Sequence, residues 1–254
     1  MGRQVNEREI VLAVLMEITE NGAYSHKILG EVLSKYQYLE KKERAFITRV
    51  TEGTLEHLIE IDYILDQFSK VKVKKMKPVI RNILRSGVYQ LKYMDSVPDS
   101  AICNEAVKLA GKRGFVNLKG FVNGVLRNIS RNLDKINYPD EKDKVSYLSV
   151  KYSLPEWLVK QWLNVYDEET VKTIGSAFLE EKPLTVRFNE HKIKKEDLVN
   201  YIAMAVQVRD QNKKIYTLNV PVEGGYKITR ARKMSIILPD PLSKSVNKMQ
   251  KFIY

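Results

Sequence analysis

Cysteine is almost absent from this chain. Cys103 is the only one in 254 residues, and three scattered histidines (His26, His57, His191) accompany it. One thiol excludes an internal disulfide, and so few Cys and His residues exclude a structural metal site built from several of them. Long apolar runs are missing as well. No stretch approaches the roughly 18 residues needed to cross a bilayer. The opening "MGRQVNEREIVLAV" has no signal-peptide core, because Glu7 and Glu9 sit beside its arginines. The expected location is the cytoplasm, with no membrane partner. The motifs G-x-G-x-x-G, G-x-x-x-x-G-K and G-x-S-x-G do not occur, which leaves dinucleotide, P-loop and serine-hydrolase chemistry without support. "GKRG" at 111–114 does not follow a strand and reads as a helix end and turn. Cys103 lies on an apolar helical stripe with Val107, the place of a small buried hydrophobe rather than a nucleophile. No catalytic residue, cofactor-binding residue or metal ligand is assigned.

What the sequence does have is positive charge. Lys and Arg number 43 against 31 Asp and Glu, a formal net charge of +12, while 44% of residues are hydrophobic. That composition is globular with a basic surface, which suits a polyanionic partner such as nucleic acid.

The first 133 residues read as consecutive helices. Ile10, Val11, Val14, Leu15 and Ile18 form a 3.6-period stripe that stops at Asn21-Gly22. A short helix follows through His26, Leu29, Val32 and Tyr36. One long helix is expected from near Glu40, carrying Phe46, Val50, Thr54, Leu58, Ile61 and Leu65. Pro78 suits the first position of another, where its missing N–H costs nothing. After "SVPDS", two helices are expected at about 99–112 and 116–132. His26 and His57 lack a carboxylate at ligand spacing and read as structural or surface residues. Tyr89 and Tyr93 read as core packing. The polar "DKINYPDEKDK" places a linker at 134–149. A small α+β module is expected over 150–230, with helices at "LPEWLVKQWLNVY" and 167–181 and a strand at "PLTVRFN". Trp157 and Trp162 read as its core. "KKEDLVNYI" looks helical, and short β-like runs follow ("IYTLNV", "YKIT", "SIIL"). Residues 231–254 form an uncertain tail.

Two windows contain no acid. The first carries Lys70, Lys72, Lys74, Lys75, Lys77 and Arg81. The second, 108–131, carries Lys108, Lys112, Arg113, Lys119, Arg127 and Arg131. Basic windows leading into helices are candidates for a phosphate-contacting face. Arg8, Lys72, Lys74, Lys75, Lys77, Arg81, Lys112, Arg113, Lys119, Arg127 and Arg131 are the candidate RNA-binding residues.

"RAFITRVTEGTLEHLIEIDYIL", "ILRSGVYQLKYMDSVPDSAICNEAVKLA" and "GFVNGVLRNI" resemble the helical NusB-type RNA-binding domain. "YSLPEWLVKQWLNVY" and "EEKPLTVRFN" resemble the region that follows it in the RsmB (Sun/Fmu) family of 16S ribosomal RNA cytosine-C5 methyltransferases. A free NusB factor would end near residue 133, so "PEWL" and "PLTVRFN" favour the methyltransferase family. The resemblance implies binding of ribosomal RNA, and of a ribosomal protein if the chain acts as a stand-alone NusB-like module. It also implies that "GFVNGVLR" is a closing helix, with Gly120 and Gly124 letting it approach the "NEAVKLA" helix and with Asn104 and Asn123 in the seam. Family members go on to a Rossmann-like domain that binds S-adenosylmethionine and uses paired cysteines. This chain has neither a glycine-rich cofactor loop nor paired cysteines, so it is expected to recognise RNA without methylating it alone. An interrupted gene and a genuine stand-alone protein both stand open as origins. The tail from Lys227 carries seven basic residues against one acid and matches nothing expected there.

Overall fold

A computed structural model describes residues 6–180, together with the backbone of three short strands at Leu184–Val186, Thr217–Asn219 and Tyr226–Thr229. The fold is mainly α. Helix α1 (Glu7–Thr19) starts at Asn6, whose side chain accepts from the Glu9 amide, and it buries Val11, Leu12, Val14 and Leu15. An Asn cap satisfies one of the orphan N–H groups of the first turn. The chain then turns through Gly22 at φ +71°, a conformation glycine adopts without strain. Helix α2 (Ser25–Lys35) follows, then α3 (Lys41–Glu56), which opens with a reciprocal Glu40/Glu43 capping box.

The expected long helix is two. It breaks at His57, whose ψ of 21° leaves the helical range, and α4 (Leu58–Phe68) begins at the next residue. The periodicity runs through the break because both helices bury the same stripe. The break lets α3 pack on α1 and on the helix at Pro78–Tyr93, while α4 reaches that same helix and those at Lys119–Arg131 and Lys144–Lys151. Helix α5 (Pro78–Tyr93) begins with its proline at the first turn and is buried from Asn82 to Leu91. It is the axis of the domain, in contact with α1, α3, α4, α6 (Asp99–Lys112) and α7 (Lys119–Arg131).

Side chains close tightly on the backbone at glycines, though not at those the resemblance pointed to. A Cβ on Gly53 would lie 2.1 Å from the Tyr89 ring, and one on Gly87 would lie 2.8 Å from Leu126. Gly120 and Gly124 are exposed, with nothing within 4 Å of an added Cβ. Asn104 is exposed too, and Asn123 is half-buried, accepting a bond from Arg127 on its own helix. The α6–α7 seam is made instead by Ile102, Cys103, Ala106, Leu109 and Ala110 against Val122, Val125, Leu126 and Ile129. Glycine pairs suggest tight helix packing only when they fall on the buried face. Here they fall on the outer one.

Beyond α7 a second small core forms from Leu148, Leu154, Val159 and Val171, with Tyr152, Trp162 and Leu163 packed on it. Its helices are α8 (Lys144–Lys151), α9 (Glu156–Leu163) and α10 (Glu168–Leu179). Trp162 packs on this core, but Trp157 is 66% exposed, because it faces away from the side of α9 that carries the buried Val159 and the half-buried Leu158. Within the span read as a linker, 134–149, residues from Lys144 onward already form α8. The chain divides into two compact units, Met1–Leu179 and Glu180–Tyr254. In the second, the strands order as β1 (Leu184–Val186), β3 (Tyr226–Thr229), β2 (Thr217–Asn219), all antiparallel, with Leu184 opposite Ile228 and Thr217 opposite Thr229. The "KKEDLVNYI" and "SIIL" readings and the tail at 231–254 lie outside the described residues.

The two classes of glycine should separate by thermal unfolding. Gly124→Ala should raise stability by about 1 kcal/mol through helix propensity, with open space for the methyl. Gly53→Ala should lower it by roughly 1–3 kcal/mol by overpacking against Tyr89.

Candidate nucleic-acid interface

The first acid-free window folds as a pinned loop. Val73 and Met76 are buried, while Lys70, Lys72, Lys74, Lys75 and Lys77 are exposed. A single 3-10 turn (Val73–Lys75) sets this alternation. The loop is tied from inside by Asp66, whose carboxylate accepts the Val73 amide at 2.6 Å, and by Lys72, which donates to the Asp66 carbonyl at 3.1 Å. Lys70, Lys74, Lys75 and Lys77 have no carboxylate partner among the described residues. The apolar anchors thus hold these ammonium groups outward, over the start of α5.

The second window divides along α7. At its C-terminal half, the Asn128 amide donates to the Phe68 carbonyl at 3.4 Å, which joins α7 to the base of the lysine loop. Arg127 and Arg131 are exposed there. At the other end, Arg113 is exposed, Lys112 pairs with Glu9 at 3.0 Å, and Lys119 lies across Gly111. Lys119 and Arg131 are roughly 18 Å apart at 1.5 Å of rise per residue. The structure therefore makes two basic clusters at the ends of one helix.

Two of the candidate cations are committed to the fold. Arg81 donates to Glu20 at 2.6 Å, beside Asn82, which bonds the same carboxylate at 3.0 Å. Arg8 donates to Gln90 at 3.2 Å and stacks over Phe46 at 4.9 Å. Burial lowers its pKa, against the opposing pull of Glu105 and Glu7. Both tie α1 to α5. Sequence spacing could not show this, because their partners lie 61 and 82 residues away.

Cys103 is buried, and desolvation raises its thiol pKa. That is the opposite of what a nucleophilic thiolate needs. Tyr89 is buried as expected, whereas Tyr93 has a polar task. Glu60, the most buried carboxylate among the described residues, is 3% exposed. It accepts from Lys92, Tyr93 and Tyr138, and His57 Nδ1 lies 3.3 Å away. His57 does have a carboxylate neighbour, three residues on, and its ring stacks on Tyr93 at 4.1 Å. Burial raises the Glu60 pKa, but the nearby His57 and the bonds from Lys92, Tyr138 and Tyr93 outweigh it and bring the value down to about 2. Desolvation, with the facing carboxylate, pushes the Tyr93 and Tyr138 hydroxyls upward. Among the described residues no cluster of three His, Cys, Asp or Glu could hold a metal ion, and no helix is long and apolar enough to cross a membrane.

Residues 5–131 match the NusB family. The chain belongs to the NusB family. Behind this NusB domain, residues 154–210 match the RsmF/B-like methyltransferase ferredoxin-like domain, in the order that "PEWL" and "PLTVRFN" implied. A probable ribosomal RNA small subunit methyltransferase B from Bacillus subtilis (strain 168) is 35% identical over 201 residues, covering 79% of this chain and 44% of that protein. The transcription antitermination protein NusB of Acidothermus cellulolyticus is 33% identical over 133 residues, covering 52% of this chain and 90% of that one. A solved structure, PH0851, shares the fold with a TM-score of 0.56 at 16% identity, over 92% of this NusB-family chain and 51% of its own. The chain spans less than half the length of the methyltransferase relative it matches.

The depressed Glu60 pKa fixes a pH dependence. Its value in the fold lies below the ordinary 4.5, so the carboxylate stabilises the fold above that value, and this is lost as pH falls towards 2. Glu60→Gln should cost on the order of 3 kcal/mol at pH 7 by leaving buried donors mismatched. Urea titrations at pH 7, 4 and 2.5 should show the gap from wild type shrinking with acid.

Proposed function

We propose that this chain binds structured ribosomal RNA, as the substrate-recognition half of an S-adenosylmethionine-dependent 16S ribosomal RNA cytosine-C5 methyltransferase. The observation that carries the reading is the lysine loop at 70–77, held outward by Val73 and Met76 and joined to α7 by Asn128. A rigid, unpaired set of cations makes phosphate contacts with little ordering cost, and the released counterions drive binding. Lys72, Lys74, Lys75, Lys77, Arg127 and Arg131 form the main contact, and Lys112, Arg113 and Lys119 a second one. Arg8 and Arg81 support the fold. The ribosomal RNA named for the methyltransferase relatives, and the order of the two matched domains, favour this substrate.

On this reading the chain transfers no methyl group itself. Cytosine C5 becomes nucleophilic only after a thiolate has added at C6, and the buried Cys103 does not suit that role. S-adenosylmethionine belongs to the full-length relatives. A second reading, a stand-alone module that binds RNA or a ribosomal protein in antitermination or ribosome assembly, draws on the match to NusB across 90% of that protein.

Salt dependence separates RNA recognition from protein docking. Contact with five or so phosphates should give a slope of about −4 in log affinity against log salt. Lys74→Glu/Lys75→Glu should weaken RNA binding more than tenfold without lowering Tm. A flat slope, or undiminished binding by that variant, would count against RNA as the ligand of this face.

A further inference from the structure

Two hydroxyl groups from outside the NusB domain close on the first turn of α4. The side chain of its N-cap residue, His57, makes no capping bond. Instead the Ile59 amide donates to the Ser153 Oγ, 94 residues downstream, at 3.0 Å. Ser153 holds that position from a φ of +53°, the sole positive value at a non-glycine among the described residues. Conformations of this kind persist only where surrounding contacts enforce them. One residue after Ile59, the buried Glu60 carboxylate takes the Tyr138 hydroxyl. Around these two points, Gln67 exchanges bonds of 2.7 and 3.1 Å with the Asn137 backbone, and Lys92 and Lys151 lie 5.4 and 5.5 Å from the Tyr138 ring.

The segment that supplies these groups, 137–153, falls between the two matched regions, which end at 131 and begin at 154. The helical domain takes no core residue from it, and its apolar residues Leu148, Val145, Tyr147 and Tyr152 belong to the second cluster, which shares no residue with the first. We infer that Tyr138 on Glu60 and Ser153 on the Ile59 amide, one on each side of α8, form a latch that locks α8–α10 onto the helical domain. The contacts are polar and specific, so the latch has a defined closed position and can release without exposing either apolar core. Its closure fixes where the start of the ferredoxin-like region sits relative to the lysine loop. Glu60 keeps Lys92 and Tyr93 when the latch opens, and the helical domain stays intact.

The test removes both hydroxyls from the full chain in Tyr138→Phe/Ser153→Gly. Glycine keeps the left-handed turn unstrained and deletes only the cap. Hydrogen exchange should quicken roughly tenfold or more at the Ile59 amide and across α8, since each lost bond to a buried partner is worth about that factor. Exchange in the middle of α5 and α6 should not change. Trypsin should also cut faster after Lys142. Unchanged exchange in α8 would overturn the latch. So would equal acceleration throughout α1–α7, because the contact would then be one more piece of a common core. Tyr138→Phe alone, read the same way, decides the matter if the double variant does not fold.

Discussion

A carboxylate taken out of water must be repaid with donors, and Glu60 shows how much organisation that demands. Leaving it unpaired would cost several kcal/mol, so a histidine, a lysine and two tyrosines converge on it from α4, α5 and the segment after α7. The demand orders the structure around it. In the first turn of α4, just after the break at His57, Glu60 meets Lys92 and Tyr93 at the end of α5. Tyr138 can reach it only if the chain leaving α7 runs back over α4. The same crossing brings Ser153 to the open amide of Ile59. One buried charge therefore draws together the start of one helix, the end of another and the segment that leads to a second core.

A parallel logic holds α1 against α5. Arg81, Glu20 and Asn82 form one internal network, Arg8 and Gln90 another, and Arg85 meets Asp62 through two bonds of 2.7 and 2.6 Å. These polar ties flank an axis helix otherwise buried in aliphatic side chains. They fix rotation and register where leucine and isoleucine alone would tolerate slippage. The cations left over, in the loop at 70–77 and along α7, are the ones free to meet something else.

Much of this was legible in the sequence, because apolar periodicity and capping are local. The stripe of α1, the proline start of α5 and the ends of α6 were all readable from spacing. The division at His57 was not, since the stripe continues through it. The two acid-free windows were readable as basic segments, but not the separation of Arg8 and Arg81 from the rest, which depends on partners far along the chain. Gly120 and Gly124 misled for a related reason. Their spacing suits a close crossing, but the helix presents that face to solvent, and nothing in the structure offsets their propensity cost. Asn104 was misplaced by the same assumption. Trp157 shows that a large aromatic in a short helix need not point inward.

The pinned lysine loop carries a consequence for the protein when nothing is bound to it. Five ammonium groups within eight residues, four of them without a carboxylate partner among the described residues, repel one another, and the folded state bears that repulsion as stored electrostatic strain. Dilute salt screens it. Ions should therefore act in opposite directions on the two states, steadying the free protein while loosening any polyanion from it. Cells of different ionic strength would accordingly set a different balance between a durable empty receptor and a tightly held complex.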